Sequence, residues 1–364
     1  MKRAIRVWSV VAGMCVSVAA TSLAAAGGAT GAVYVLTNAP SGNQVLAYPR
    51  TADGALQSPT AYNTGGAGSG AGLGSQGAIV VSENHQLLFA VNAGGNSVSS
   101  FRIGPHGLEL ADTVSSGGLM PTSVAVHHGL VYVLNAGTPN NVTGFTVDAA
   151  GRLTLLPGST RPLSGPTTSP AQVEFDDDGS ALVVSERATN LLDVFLVGED
   201  GTLAGPISNP SSGPVPFGFA ISKRHTLLVS EAGAGGGASS YLIEPSGGLT
   251  RVSSMIMTGQ RAACWTVVTK NGRYGYVINA GTGNISGFAV GEDGSASLLN
   301  ADGITAVTGG NPTDAAVSLD SHFLYVRVAA LNAIRVFAIE SDGSLTALPS
   351  LTGTPAGLAG LAAF

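Results

Sequence analysis

The chain carries little charge. Only 10% of its 364 residues are Asp, Glu, Lys or Arg, with 16 basic against 22 acidic. That composition excludes a solvated disordered chain, which needs high net charge and few apolar residues. The acidic balance argues against nucleic acid as a partner, because phosphates demand a basic surface. Cysteine is nearly absent: Cys15 and Cys264 are the two, too few for a disulfide scaffold. Beyond the N-terminal region no amphipathic helical pattern appears. No later apolar run approaches the ~20 residues of a membrane span. Glycine is what abounds, 52 residues beside 44% hydrophobic ones. Many short strands joined by tight turns have this composition.

The N-terminal segment reads as an export signal. Lys2, Arg3 and Arg6 precede an apolar run from Val7 to about Leu23, which ends in Ala24-Ala25-Ala26. The run is short for a span and closes on small residues suited to cleavage, which favours removal over a retained anchor. Residues 1–26 are therefore expected to be cleaved. Residues 27–364 then form one exported domain, secreted or held in the periplasm or cell envelope, with no integral membrane span. Losing three basic residues leaves 13 basic against 22 acidic, a formal charge of −9. One thiol remains, Cys264. Its neighbours Ala263 and Trp265 offer no base, so a buried small hydrophobe is the expected role.

The remainder repeats seven times. One series is a short β-rich run: Val33-Tyr34-Val35, Leu88-Phe89-Ala90, Val131-Tyr132-Val133, Leu182-Val183-Val184, Leu227-Leu228-Val229, Tyr276-Val277-Ile278 and Leu324-Tyr325-Val326. The second is a glycine turn at Gly54, Gly107, Gly151, Gly201, Gly248, Gly294 and Gly343. Gly54 to Gly343 spans 289 residues in six intervals, about 48 each. Each unit reads as four strands. In the sixth, Trp265–Val268, Tyr276–Ile278 and Ile285–Val290 are followed by a fourth strand near Ala296 to Leu299, with Asn271-Gly272 as a hairpin turn. A four-stranded meander cannot bury both faces alone, but seven packed radially can. The expected fold is all-β, a seven-bladed β-propeller with four antiparallel strands per blade. A β-helix has much shorter repeats.

The first unit lacks an inner strand, and the tail after Thr352 has one to spare. Gly353 to Leu361 resembles first-strand openings such as Asn311 to Val317. The C-terminal strand is therefore expected to complete the first blade and close the ring, removing exposed edges. The glycine-rich stretch from Gly65 to Gly77 reads as a long flexible connection between blades, over the channel mouth. Within it, Gly72-Leu73-Gly74-Ser75-Gln76-Gly77 matches a dinucleotide fingerprint by letters only, since a strand rather than a helix follows.

Three segments resemble the lactonase family of seven-bladed propellers, which includes bacterial 6-phosphogluconolactonase and the fungal carboxymuconate cyclases. They are Ile334-Arg335-Val336-Phe337, Asp342-Gly343-Ser344-Leu345-Thr346 and Gly309-Gly310-Asn311-Pro312-Thr313. For the site, the resemblance implies a His and an Arg near first-strand starts, a Glu just after a second strand, and an Arg in the next blade. Glu231-Ala232-Gly233 is similar to the family's Glu-Ala-Gly segment. Val215-Pro216 stands where the first Arg would fall, Ala171-Gln172 where the His would, and Asn279-Ala280-Gly281 where the second Arg would.

In an up-and-down blade, first-strand starts and second-strand ends share one rim. Glu231 or Glu186 there could activate water on a lactone, with Arg261 clamping its carbonyl. Gln172, Asn135, Asn279, Asp314 and Arg187 share the rim as candidate contacts for a small-molecule ligand. No cofactor or metal is expected, although Glu186, Glu231, Asn135 and Asn279 are oxygen donors of the kind Ca²⁺ prefers. The six histidines lack metal spacing, and His85, His127, His128, His225 and His322 fall at first hairpin turns, on the opposite face. Asp176-Asp177-Asp178-Gly179 reads as a solvated hairpin tip there. A monomer is expected. The sequence leaves two functions open: hydrolysis or formation of a small lactone, and a non-catalytic propeller that binds a ligand or protein. Fold alone does not choose between them.

Overall fold

The computed structural model describes residues 29–222 and 225–364; the export signal expected over residues 1–26 lies outside them. The described residues form seven antiparallel sheets arranged as the blades of a propeller. Blades 2 to 7 occupy residues 79–115, 121–162, 170–210, 216–257, 263–307 and 312–352 in chain order. In each, the first strand lies innermost and three more follow outward. Blades 3 and 6 carry the outermost strand in two pieces, for example Leu153–Leu155 and Arg161–Pro162 against Asn141–Val147. A single 3₁₀ turn, Ala329–Leu331, is the one helical element among the described residues. None of their helices is long and apolar enough to cross a membrane.

The second strands explain the packing. Leu87–Asn92, Ala181–Glu186, Thr226–Glu231 and Phe323–Val328 are buried at every position. A strand with a blade on each face has no solvent side, so it reads as a continuous apolar run rather than an alternation. Burying each such large side chain contributes roughly 1.5–3 kcal/mol.

The two repeat series meet between blades. Tyr132 Oη donates to Gly201 O at 2.8 Å, Tyr276 Oη to Gly343 O at 2.9 Å, and Tyr325 Oη to Gly54 O at 3.0 Å. Each tyrosine thus binds the glycine turn of the following blade, and the last contact joins blade 7 to blade 1. These turns sit at φ +77°, +83° and +86°, which glycine adopts without strain.

Blade 1 is built from both ends of the described chain. Ala359–Ala363 pairs antiparallel with Gly31–Leu36 and becomes the inner strand. Phe364 O accepts from Ala32 N at 3.2 Å and from Arg50 Nε at 3.3 Å. The expected closure is therefore the observed one.

The connection at 65–77 does cross the channel, but it is anchored rather than loose. Gln76 Nε2 donates to Phe219 O at 3.1 Å and Thr266 O at 2.7 Å, while its Oε1 accepts from Thr266 N at 2.9 Å. Gln76 N donates to Ala171 O at 3.0 Å, and Trp265 Nε1 to Ser75 O at 2.9 Å. A segment between blades 1 and 2 is thus fastened to blades 4, 5 and 6. A Cβ at Gly218 would collide with Gln76 Oε1, so glycine is needed there for the approach.

Candidate functional site

The seven inner strands surround a central cavity of about 430 Å³. The 65–77 segment lies across its rim end. The other end opens at the first hairpins, bordered by Glu83, His85, Asp177 and Lys270. The pairing registers define a level midway along the channel. Six blades place Val80, Ala125, Ala220, Val267, Ala316 and Ala362 at this level, and blade 4 places Glu174 there. All seven line the cavity. A single carboxyl therefore stands in an otherwise apolar ring.

That setting governs its chemistry. Burial raises the Glu174 pKa to about 8; the Lys270 charge and a hydrogen bond from Gln172 pull it the other way without prevailing. Gln172 Nε2 donates to Glu174 Oε2 at 2.8 Å and to Phe219 O at 2.9 Å, and Gln172 Oε1 accepts from Phe219 N at 2.7 Å. The amide is locked by the blade 5 backbone and fixes the carboxyl in turn. Asp314 also lines the cavity. Burial lifts it to about 8, against a hydrogen bond from the Ala315 amide and the charge of Arg327. Arg327 Nη1 is itself held by the Thr313 hydroxyl.

The rim carboxylates have a different position. Glu231 and Glu186 are fully buried and do not line the cavity. Glu231 Oε1 accepts from Ser211 Oγ at 2.8 Å and Ser239 Oγ at 2.6 Å. Its Oε2 has no partner at bonding distance. Burial raises its pKa to about 7, opposed by the Ser239 and Ser211 hydroxyls and, more weakly, the Gly213 amide. Glu186 accepts from Ser164 N at 3.1 Å and Thr189 Oγ1 at 2.6 Å. Asp193 Oδ2 accepts from the same Ser164 N–H at 3.0 Å. Asn135 Nδ2 donates to Ser116 O at 3.0 Å and Asn141 Oδ1 at 2.9 Å; Asn279 Nδ2 donates to Asn284 Oδ1 and Ser286 Oγ, both at 2.8 Å.

These four side chains occupy the same second-strand position and turn into the seam beside their own blade. Three of them, Glu186, Glu231 and Asn135, tie down the linker that enters it. The side chains considered for Ca²⁺ thus stand on separate blades, where Asn135 Oδ1, Asn279 Oδ1 and Glu231 Oε2 have no hydrogen-bond partner among the described residues. Arg261 is exposed, with Nη2 donating to Gly281 O at 3.1 Å. Arg187 lies over the Phe217 ring at 5.2 Å and donates from Nε to Ser169 O at 3.0 Å. Among the described residues no ion pair joins Glu231, Glu186 and Arg261. Of the eight residues expected at the site, Gln172 and Asp314 reach the cavity.

The family described as "Lactonase, 7-bladed beta-propeller" matches residues 29–167 and 140–264, well over half of the chain. The chain belongs to this lactonase family. A 6-phosphogluconolactonase of Serratia proteamaculans is 22% identical over 267 residues, covering 71% of this chain and 79% of that protein. Two solved structures share the fold. The periplasmic gluconolactonase PpgL of Pseudomonas aeruginosa is 21% identical, with a TM-score of 0.71 over 90% of this chain and 98% of that one. A functionally unknown protein of Desulfotomaculum acetoxidans is 12% identical, with a TM-score of 0.71 over 92% and 98%.

Within this lactonase-family propeller, sequence reasoning missed Glu174 and Lys270. The signal for Glu174 was present: Ala171-Gln172-Val173-Glu174-Phe175 places a carboxyl where the other first strands have Val or Ala. Cys264 is buried and free, its thiol pushed up to about 12 mainly by burial, as a packed small hydrophobe should be. The Asp176–Gly179 tip lies on the hairpin face, but it is not wholly solvated: Asp176 is buried and accepts from Ala181 N and Ser180 Oγ, both at 2.9 Å.

Proposed function

We propose that this lactonase-family propeller hydrolyses a small lactone inside its central channel, with Glu174 as general base. The observation that carries this is a single carboxyl in an apolar ring, its pKa lifted to about 8, in a cavity of the size that takes small molecules. The names of the similar proteins, 6-phosphogluconolactonase and gluconolactonase, favour an internal ester of a sugar acid as the substrate class. Glu174 takes a proton from water, whose oxygen forms a bond to the lactone carbonyl carbon. The tetrahedral oxyanion collapses, the ring C–O bond breaks, and the departing alkoxide receives a proton. Asp314, kept protonated near neutrality by burial, is suited to give it, and the Lys270 charge favours the developing anion. The product is the open hydroxy acid. No cofactor is needed, and one chain completes the ring, so a monomer suffices.

This assignment has a pH signature. The base must be ionised and the acid protonated, and both pKa values lie at about 8. Over a panel of aldonolactones, kcat/KM corrected for spontaneous hydrolysis should trace a bell with its maximum near pH 8. Absence of turnover across the panel would favour the ligand-binding alternative. A flat profile from about pH 6 to 9 would reject Glu174 and Asp314 as the pair.

Export belongs to the same reading. It rests on the Lys2-to-Ala26 layout, and the PpgL relative is described as periplasmic. Mass spectrometry of protein recovered outside the cytoplasm should find an N-terminus near Gly27. A soluble cytoplasmic product with an intact Met1 would refute it.

A further inference from the structure

We propose that Glu83, His127 and His128 form a binding site for a zinc-like divalent transition metal at the open mouth of the channel. Among the described residues, this is the group in which three His, Cys, Asp or Glu side chains bring ligand atoms within 4.8 Å of one another. His127 Nδ1 lies 2.7 Å from Glu83 Oε1, His128 Nδ1 lies 3.4 Å from Glu83 Oε2, and the His128 Nδ1 to His127 Nε2 distance is 2.8 Å. Ligands about 2.0–2.2 Å from a tetrahedral ion stand roughly 3.3 Å apart. An imidazole gives an ion one nitrogen, and these contacts use both nitrogens of His127. The exposed His128 ring or Glu83 carboxylate must therefore turn about its side-chain bonds to close a ligand set that already lies within 4.8 Å.

The ligands come from two adjoining hairpins, Glu83 from blade 2 and the histidines from blade 3. His128 sits in the left-handed region at φ +51°, uncommon for a residue with a side chain. That conformation brings its ring beside His127, with centroids 4.2 Å apart and planes at 57°. The His127 side chain is 15% exposed. It packs against Gly179 and, at 5.8 Å between ring centroids, Phe175. One imidazole is thus held by the protein, and the exposed second ring and carboxylate close over the ion. Two nitrogens and one carboxylate suit Zn²⁺ or Co²⁺ and leave a coordination position open; an oxygen-seeking Ca²⁺ would want a different set. Glu83 also borders the channel cavity, so the ion would sit at its mouth. The same face supplies a contrast. Among the described residues His225 has one ion-pair partner, Asp177 at 2.7 Å, too few ligands for such a site.

The test uses the full chain freed of metal by chelation and titrated with Co²⁺, then with competing Zn²⁺. The wild type should bind one equivalent and develop the visible absorption of a four- or five-coordinate cobalt site. H128A and E83Q should each weaken binding by at least roughly 10–100-fold, the loss typical of even an outer partner. H225A should bind as the wild type does. Failure of the wild type to bind Co²⁺ or Zn²⁺ would overturn the site. Undiminished binding by both H128A and E83Q, or equal loss in H225A, would do the same. None of these readouts depends on lactone turnover.

Discussion

Glu174→Gln should lower lactone turnover ~10²–10⁴-fold, the usual cost of losing a general base, while leaving the fold intact. Glutamine keeps the shape and can still meet Gln172, but it cannot take a proton. Thermal stability should separate the variants as well. The Glu174 pKa is raised on folding from 4.5 to about 8. Between those values the native state holds a proton that the unfolded state has released, so stability falls as pH rises across the window. Below it the contribution is fully present; above about 8 it is gone. Glu174→Gln should therefore flatten the fall in Tm across this range. Some slope should remain, because the pKa values of Asp314, Asp193 and Glu231 are also raised, to about 8, 7 and 7. Melting curves and initial rates on the same samples make the check. Glu231→Gln should keep its turnover, since that carboxyl is buried in a seam. If Glu231→Gln were dead and Glu174→Gln fully active, the chemistry would belong at the rim.

Deleting the residues after Thr352 should abolish cooperative unfolding. The deletion removes the Ala359–Ala363 strand, and with it Leu358 and Leu361 from the core shared by blades 1 and 7. It strips Gly31–Leu36 of an inner partner and takes the Phe364 carbonyl from Ala32 and Arg50. An open ring exposes two apolar edges, where a closed one has none. We expect aggregation or a broad, non-cooperative melt by calorimetry and near-ultraviolet circular dichroism. A truncated chain with the full-length Tm and enthalpy would show that blade 1 stands without its inner strand.

The fold was legible because a propeller writes its plan repeatedly. The Leu-Tyr-Val runs and glycine turns marked each blade, and the structure joins them through bonds such as Tyr276 to Gly343. The spare tail strand was legible for the same reason. The site was less so. Strand order places Glu186 and Glu231 on the rim, but direction within the strand decides where they point, and the seams between blades are invisible in one dimension. Glu231 is similar in sequence to a family segment, yet its oxygen meets Ser211 and Ser239. Gln172 and Asp314 reached the cavity because they stand on first strands, the innermost strands of their blades. Glu174 was legible only by comparing blades, as a carboxyl where the other first strands carry Val or Ala. Glu83 and the His127-His128 pair meet only across two hairpins, so spacing along the chain held no metal signature.

The 65–77 segment makes the two ends of the channel unequal. At the rim its bonds to blades 4, 5 and 6 fix a strap of backbone across the axis, while the hairpin end opens between Glu83 and Lys270. Because the strap is held at several points, moving it aside means breaking those bonds together. A molecule bound beside Glu174 then exchanges with the surrounding water more readily past the hairpins than past the strap.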